Sequence, residues 1–141
     1  MATYTPSKRT ILCIDDDDAI LSYEKALLER SGYAVMTAAS AQQGLRLLTM
    51  CDCDAVLLDY EMPGMKGPEL AVEIKRVRPG LMVLLLSGSD VPASALPLVD
   101  GFLPKIEASQ HLLPMIAAVC NQTPETKRSR EGSPRKTLRD R

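Results

Sequence analysis

One stretch constrains this chain more than any other: Val56-Leu57-Leu58-Asp59-Tyr60-Glu61-Met62-Pro63-Gly64-Met65-Lys66-Gly67. An apolar run over residues 55–58 stops on a carboxylate and gives way to a turn rich in Pro and Gly. A short apolar run between turn signals reads as a buried strand. Asp59 then stands at the carboxyl end of that strand, where open α/β sheets bind their ligands. An Asp at such a place also starts turns with no further role, so the stretch alone leaves both readings open.

A second stretch narrows the choice. Residues 9–14 form another short strand candidate, RTILCI, and it ends on Asp15-Asp16-Asp17-Asp18. Two strands that both end in acid suggest two acidic ends side by side. Clustered carboxylates repel one another in a partly dry site and need a counter-charge. Oxygen-only ligands favour a hard cation such as Mg²⁺. Asp17 and Asp18 are also explained as the acidic start of the next helix, where negative charge complements the helix dipole.

Two further candidates complete a series. Residues 81–86 are apolar throughout and run into Ser87-Gly88-Ser89, and residues 101–103 form a short strand ending near Lys105. An acid pair, a lone acid, a hydroxyl and a lysine thus follow in chain order, each at the carboxyl end of an expected strand.

That series, carried by ILCIDDDDAIL, DAVLLDYEMPGMKGPEL, VLLLSG and DGFLPK, resembles the receiver domain of two-component response regulators over about residues 9–119. The resemblance implies Asp59 as phosphoacceptor, taking a phosphoryl group from a phosphohistidine on a sensor histidine kinase or phosphotransfer protein. It implies Mg²⁺ held by Asp15, Asp16, Asp59 and the backbone carbonyl of Glu61, with Lys105 as a point charge on the phosphoryl group. Ser87 and Phe102 are the expected switch pair that redirects a surface toward a downstream protein partner. The chain departs from the family pattern in two places. The family lysine is usually followed by Pro, whereas here Pro104 precedes Lys105 and Ile106 follows, so a different placement of that loop is expected. The switch aromatic is often Tyr, and Phe102 has no hydroxyl.

The helices between these strands follow from local signals. Ile20, Tyr23, Leu27 and Leu28 give residues 19–31 an apolar stripe, with Glu24 off it, and Gly32 stops the helix. Residues 33–38 form the second strand. Ser40 with Gln43 makes a capping box for the next helix, and Pro68 suits the start of the third. Pro92 and Pro97 predict a shortened or irregular fourth helix over residues 89–100. The last helix is expected over residues 109–120, with Pro114 demanding a late start or a kink. Apolar strands alternating with helices predict an α/β, doubly wound five-stranded parallel sheet covered on both faces, in the flavodoxin-like order 2-1-3-4-5.

Length and composition bound the rest. With 141 residues, one domain is expected at residues 9–120, after an extension over residues 1–8. Residues 121–141 hold seven Lys or Arg against three acids and one Leu, and read as a disordered basic tail or linker too short for a helix-turn-helix module. Net charge is −1, with no Trp and one Phe, so nucleic acid is an improbable partner. No apolar run suits a membrane span or signal peptide, and a cytoplasmic location is expected. Cys51 and Cys53 lack the ligands to close a zinc site, so all four cysteines read as thiols.

Three function classes follow. The first is a phosphorylation-controlled interaction module, catalysing only its own phosphorylation and dephosphorylation and so not an enzyme on a separate substrate. The second is a degenerate receiver acting as a phosphorylation-independent scaffold. The third, a hydrolase with an Asp nucleophile, would use Glu61 as its second carboxylate and lacks a cap domain. Glu61 also predicts slow self-dephosphorylation, because its charge opposes an attacking water's approach.

Overall fold

The computed structural model describes residues 8–122. Five strands, β1 (Thr10–Ile14), β2 (Ala34–Ala38), β3 (Ala55–Asp59), β4 (Met82–Ser87) and β5 (Gly101–Pro104), alternate with four α-helices: α1 (Asp18–Arg30), α2 (Ala41–Met50), α3 (Gly67–Val77) and α4 (Ala108–Gln122). The sheet is wholly parallel in the order β2-β1-β3-β4-β5. This is the expected order, with β3 buried at the centre along its whole length.

The period of two in each strand divides the core into two layers. Ile11, Cys13, Leu57, Leu84, Leu86 and Leu103 face one side, where Leu21 and Leu28 of α1 and Leu112 and Ile116 of α4 cover them. Leu12, Ile14, Val56, Leu58, Val83 and Leu85 face the other side, under Leu48 of α2 and Leu70 and Ile74 of α3. Strands buried on both faces need unbroken apolar runs, which explains their sequences.

Local chemistry fixes the helix ends. The Asp17 carboxylate accepts from the N–H groups of Ala19 and Ile20, so Asp17 is the cap of α1. Ser40 Oγ accepts from Gln43 N–H, and Gln43 Oε1 accepts from Ala39 N–H. Gly44 within α2 has a packing reason: a Cβ there would lie 2.5 Å from Ile14 Cδ1.

The stripe expected on α1 is corrected. Leu21, Glu24 and Leu28 are the buried residues, while Tyr23 is 47% exposed. The inward face is thus turned from the one read by hydrophobicity alone. It admits Glu24 because the Cys13 thiol is at hand as a hydrogen-bond partner and burial favours the neutral acid.

The fourth crossover has the expected irregularity: it is a six-residue 3₁₀ turn, Ala93–Leu98, with Pro97 inside. Asp100 ties it down, its Oδ2 accepting from Val83 N–H at 2.8 Å and from Lys75 Nζ of α3. The last helix does not start late. A 3₁₀ turn, Lys105–Glu107, leads straight into α4 at Ala108, and the helix runs through Pro114. Pro114 has no N–H for the Gln110 carbonyl, but both residues are exposed, so water can satisfy that group. Most of the expected tail lies outside the described residues.

Candidate phosphoacceptor site

The parallel sheet puts the carboxyl ends of its strands on one edge, and chain reversal at each end leaves polar residues there. Asp15 follows β1, and Asp59 is the last residue of the adjacent β3. Ser87 ends β4, and Lys105 follows β5. Asp15, Asp16 and Asp59 each offer a carboxylate oxygen within 4.8 Å of the others. They line a cleft of about 480 Å³ with Asp17, Glu61 and Lys105.

Lys105 reaches the acids despite its unusual loop order. Its Nζ lies 2.9 Å from Asp59 Oδ1 and 3.5 Å from Asp15 Oδ2. Pro before the lysine therefore leaves the ammonium over the acids. The ion pairs are half sunk in the protein, with Asp15 and Asp59 almost fully buried. Burial pushes the Asp59 carboxyl up; the Lys105 hydrogen bond and charge oppose this, as does a hydrogen bond from the Glu61 backbone. Burial likewise pushes Asp15 up, against the Asp17 N–H on its Oδ1 at 2.9 Å, while the Asp59 charge adds to the rise. For Lys105, burial alone would lower the ammonium pKa, but the Asp59 hydrogen bond and the charges of Asp15 and Asp59 outweigh it, and the net shift is upward. The cleft is thus an acid-rich site with one resident cation.

The all-oxygen donor set fits a hard divalent ion: three convergent carboxylates against one ammonium leave negative charge that a small cation would neutralise.

Ser87 is buried at the carboxyl end of β4, beside β3, and its hydroxyl is engaged by its own turn. Ser87 Oγ donates to the Ser89 carbonyl at 2.6 Å and accepts from Ser89 N–H at 3.0 Å. Phe102 is half-buried against the opposite layer of the core, among residues that include Val91 and Val99.

Two residues at this site were not singled out in the sequence. Ser89 Oγ donates to Glu61 Oε2 at 2.8 Å, across 28 residues of chain; no local pattern links these positions. Glu24 sits beneath the cleft beside Cys13, within electrostatic reach of Asp15 and Lys105, and its carboxyl is raised to about 8, first by burial and then by the Asp15 charge. A position three after Leu21 and four before Leu28, on their face of the helix, was the available signal, and it was outweighed by Tyr23 in the count of apolar residues.

Fold and site define a doubly wound α/β module with an acidic cleft at the carboxyl edge of its sheet, and comparison with known proteins gives the family. The chain belongs to the response regulator receiver domain family, whose model matches residues 11–117. Transcriptional regulatory protein GlrR of Escherichia coli is 39% identical over 77 residues, which is 55% of this chain and 17% of that protein. The chain therefore spans only a minor part of this relative. Among solved structures, a CheY-like receiver domain protein from Methanospirillum hungatei is 30% identical with a TM-score of 0.78, covering 83% of this chain and 97% of that one. Response regulator TrrA of Thermotoga maritima, described in complex with Mg²⁺-BeF, is 27% identical with a TM-score of 0.74, covering 79% and 98%.

Proposed function

We propose that this receiver accepts a phosphoryl group on Asp59 from a phosphohistidine donor and thereby changes how it binds a protein partner. The observation that carries the reading is the convergence of Asp15, Asp16 and Asp59 with the Lys105 ammonium 2.9 Å from Asp59. An Asp59 oxygen forms the new O–P bond as the N–P bond of the donor breaks; the electron pair stays on the imidazole nitrogen, and with the other ring nitrogen protonated the donor departs as neutral imidazole. Phosphoryl transfer asks mainly for positioning and charge stabilisation. Lys105 moves from Asp59 Oδ1 to a phosphoryl oxygen as a point charge. Asp15, Asp16, Asp59 and the Glu61 carbonyl would hold Mg²⁺, which supplies neutralising charge for the phosphoryl oxygens. Ser87 turns toward the phosphoryl group, and Phe102 repacks with it. The chain catalyses only its own modification.

The donor class is supported by the Thermotoga relative, which is described in complex with histidine kinase ThkA. Its Mg²⁺-BeF complex supports the metal. No helix among the described residues is long and apolar enough to cross a membrane, and a cytoplasmic location fits a phosphohistidine donor.

Intact-protein mass after incubation with Mg²⁺ and acetyl phosphate tests the reading. A single phosphoryl adduct that requires Mg²⁺ and disappears in Asp59→Asn is expected. No adduct and no Mg²⁺ binding would point instead to a scaffold that binds partners unmodified.

A further inference from the structure

The Ser87 hydroxyl is engaged twice by Ser89, as donor to its carbonyl and acceptor of its N–H. Such a local side-chain ring normally just closes a turn. Here the turn does not stand alone: the Ser89 hydroxyl donates to Glu61, a residue of the cleft lining two positions beyond Asp59. The base of the Asp59 loop is anchored in turn, with Tyr60 N–H donating to the Leu86 carbonyl at 2.8 Å. Glu61, Ser89 and Ser87 thus form a chain of hydrogen bonds in series. One end carries a carboxylate that lines the phosphoacceptor cleft, and the other carries the hydroxyl that must leave its turn to reach Asp59.

We infer that Ser89 is a positioning residue, a latch that keeps the Ser87 hydroxyl away from Asp59 until negative charge arrives there. The inference rests on the phosphoacceptor reading above and adds the means by which the resting state is held. Both exposed members of the latch, Glu61 and Ser89, are free to separate into water. A phosphoryl group on Asp59 brings new negative charge close to the Glu61 carboxylate, and like charges in a confined cleft repel. Glu61 turns outward, Ser89 loses its anchor, and the loop over residues 87–89 is released. Only then is the Ser87 hydroxyl exchanged from the Ser89 backbone to the phosphoryl oxygens. The resting and switched arrangements use the same hydroxyl, so they exclude one another, which is the requirement for a two-state element.

The test uses Mg²⁺ with beryllium fluoride as a phosphoryl mimic, titrated into the full chain and followed by amide NMR of Ser87 and Ser89. Breaking the latch in Ser89→Ala should tighten apparent beryllofluoride affinity about three- to tenfold, the range of one lost hydrogen bond in the resting state. Ser89→Thr, which keeps the hydroxyl, should stay within twofold of the parent. Glu61→Ala removes both the latch and a repelling charge, so its effect should be smaller in the Ser89→Ala background than in the parent. An unchanged affinity in Ser89→Ala, or full additivity with Glu61→Ala, overturns the latch while leaving the phosphoacceptor reading in place. Failure of the parent protein to bind the mimic in Mg²⁺ overturns both.

Discussion

Lys105 Nζ and Asp59 Oδ1 are 2.9 Å apart, although they come from strands separated by β4 in the sheet. The contact places the one cation found in the cleft lining among the described residues on the Asp59 carboxylate, with Asp15 Oδ2 3.5 Å away. Lys105 therefore serves the resting protein as counter-charge for the buried acids.

A cation that occupies the cleft competes with any other cation entering it. Lys105→Met should tighten Mg²⁺ binding by about tenfold, a fraction of the Coulomb term for charges a few ångströms apart near a surface. The same substitution should slow modification of Asp59, since the point charge on the phosphoryl group is lost. Mg²⁺ titration followed by NMR, with adduct formation measured by mass, checks the two opposite directions. A loss of Mg²⁺ affinity in Lys105→Met would refute the counter-charge account.

The acid pair is expected to be unequal. Asp15 is buried and already accepts from Asp17 N–H, whereas Asp16 is exposed. Asp15→Asn keeps the shape of that hydrogen bond while removing charge, and should lower Mg²⁺ affinity about tenfold or more. It should also raise thermal stability, because one of two repelling buried carboxylates becomes neutral. Parallel Mg²⁺ titration and metal-free thermal unfolding of the variant read both effects.

Glu24 makes stability depend on pH. Its carboxyl lies near 8 in the fold, raised first by burial and then by Asp15, against an ordinary value of 4.5; Lys105 and the Cys13 hydrogen bond act in the other direction, and Asp59 raises it further. An acid with a raised folded value binds its proton more tightly when folded. Stability is therefore greatest below about 4.5, as far as this group is concerned, and falls as pH rises from there to about 8. The loss is on the order of a few kcal/mol. Glu24→Leu should remove that slope and raise the urea midpoint at pH 8. Urea unfolding at pH 5, 6.5 and 8 for parent and variant checks it, and parallel slopes would disprove the assignment.

Gly67 opens α3 directly against the Asp59 backbone. A Cβ there would lie 2.7 Å from Leu85 Cδ1 and 2.9 Å from both the Asp59 carbonyl oxygen and Tyr60 Cα. Two of these three are backbone and cannot move aside cheaply. Gly67→Ala should destabilise by about 1–3 kcal/mol and slow acetyl phosphate labelling more than Gly44→Ala, whose Cβ would meet side-chain atoms of Ile14 and no backbone. Denaturant midpoints and labelling rates of the two variants make the comparison.

Much of this protein was determined by its sequence alone. Apolar runs at 55–58 and 81–86, flanked by turn residues, are enough to specify buried parallel strands, because a strand covered on both faces admits no alternation. The carboxyl-end residues Asp15, Asp59, Ser87 and Lys105 then fall on one edge by topology. Pro92 and Pro97 alone predict the loss of a regular fourth helix, since a missing N–H and a fixed φ act locally.

What the sequence did not determine depends on contacts between distant parts of the chain. The inward turn of α1 was decided by tertiary packing: the helix settles with Leu21, Glu24 and Leu28 on the sheet, where burial holds the Glu24 carboxyl neutral and the Cys13 thiol is its hydrogen-bond partner. The reach of Lys105 to Asp59 across the β4 edge, and the Ser89 bridge to Glu61, arise only once strand register fixes the loops side by side. Propensity and periodicity act over a few residues, whereas a hydrogen bond across 28 residues exists only because the sheet brings its two ends together.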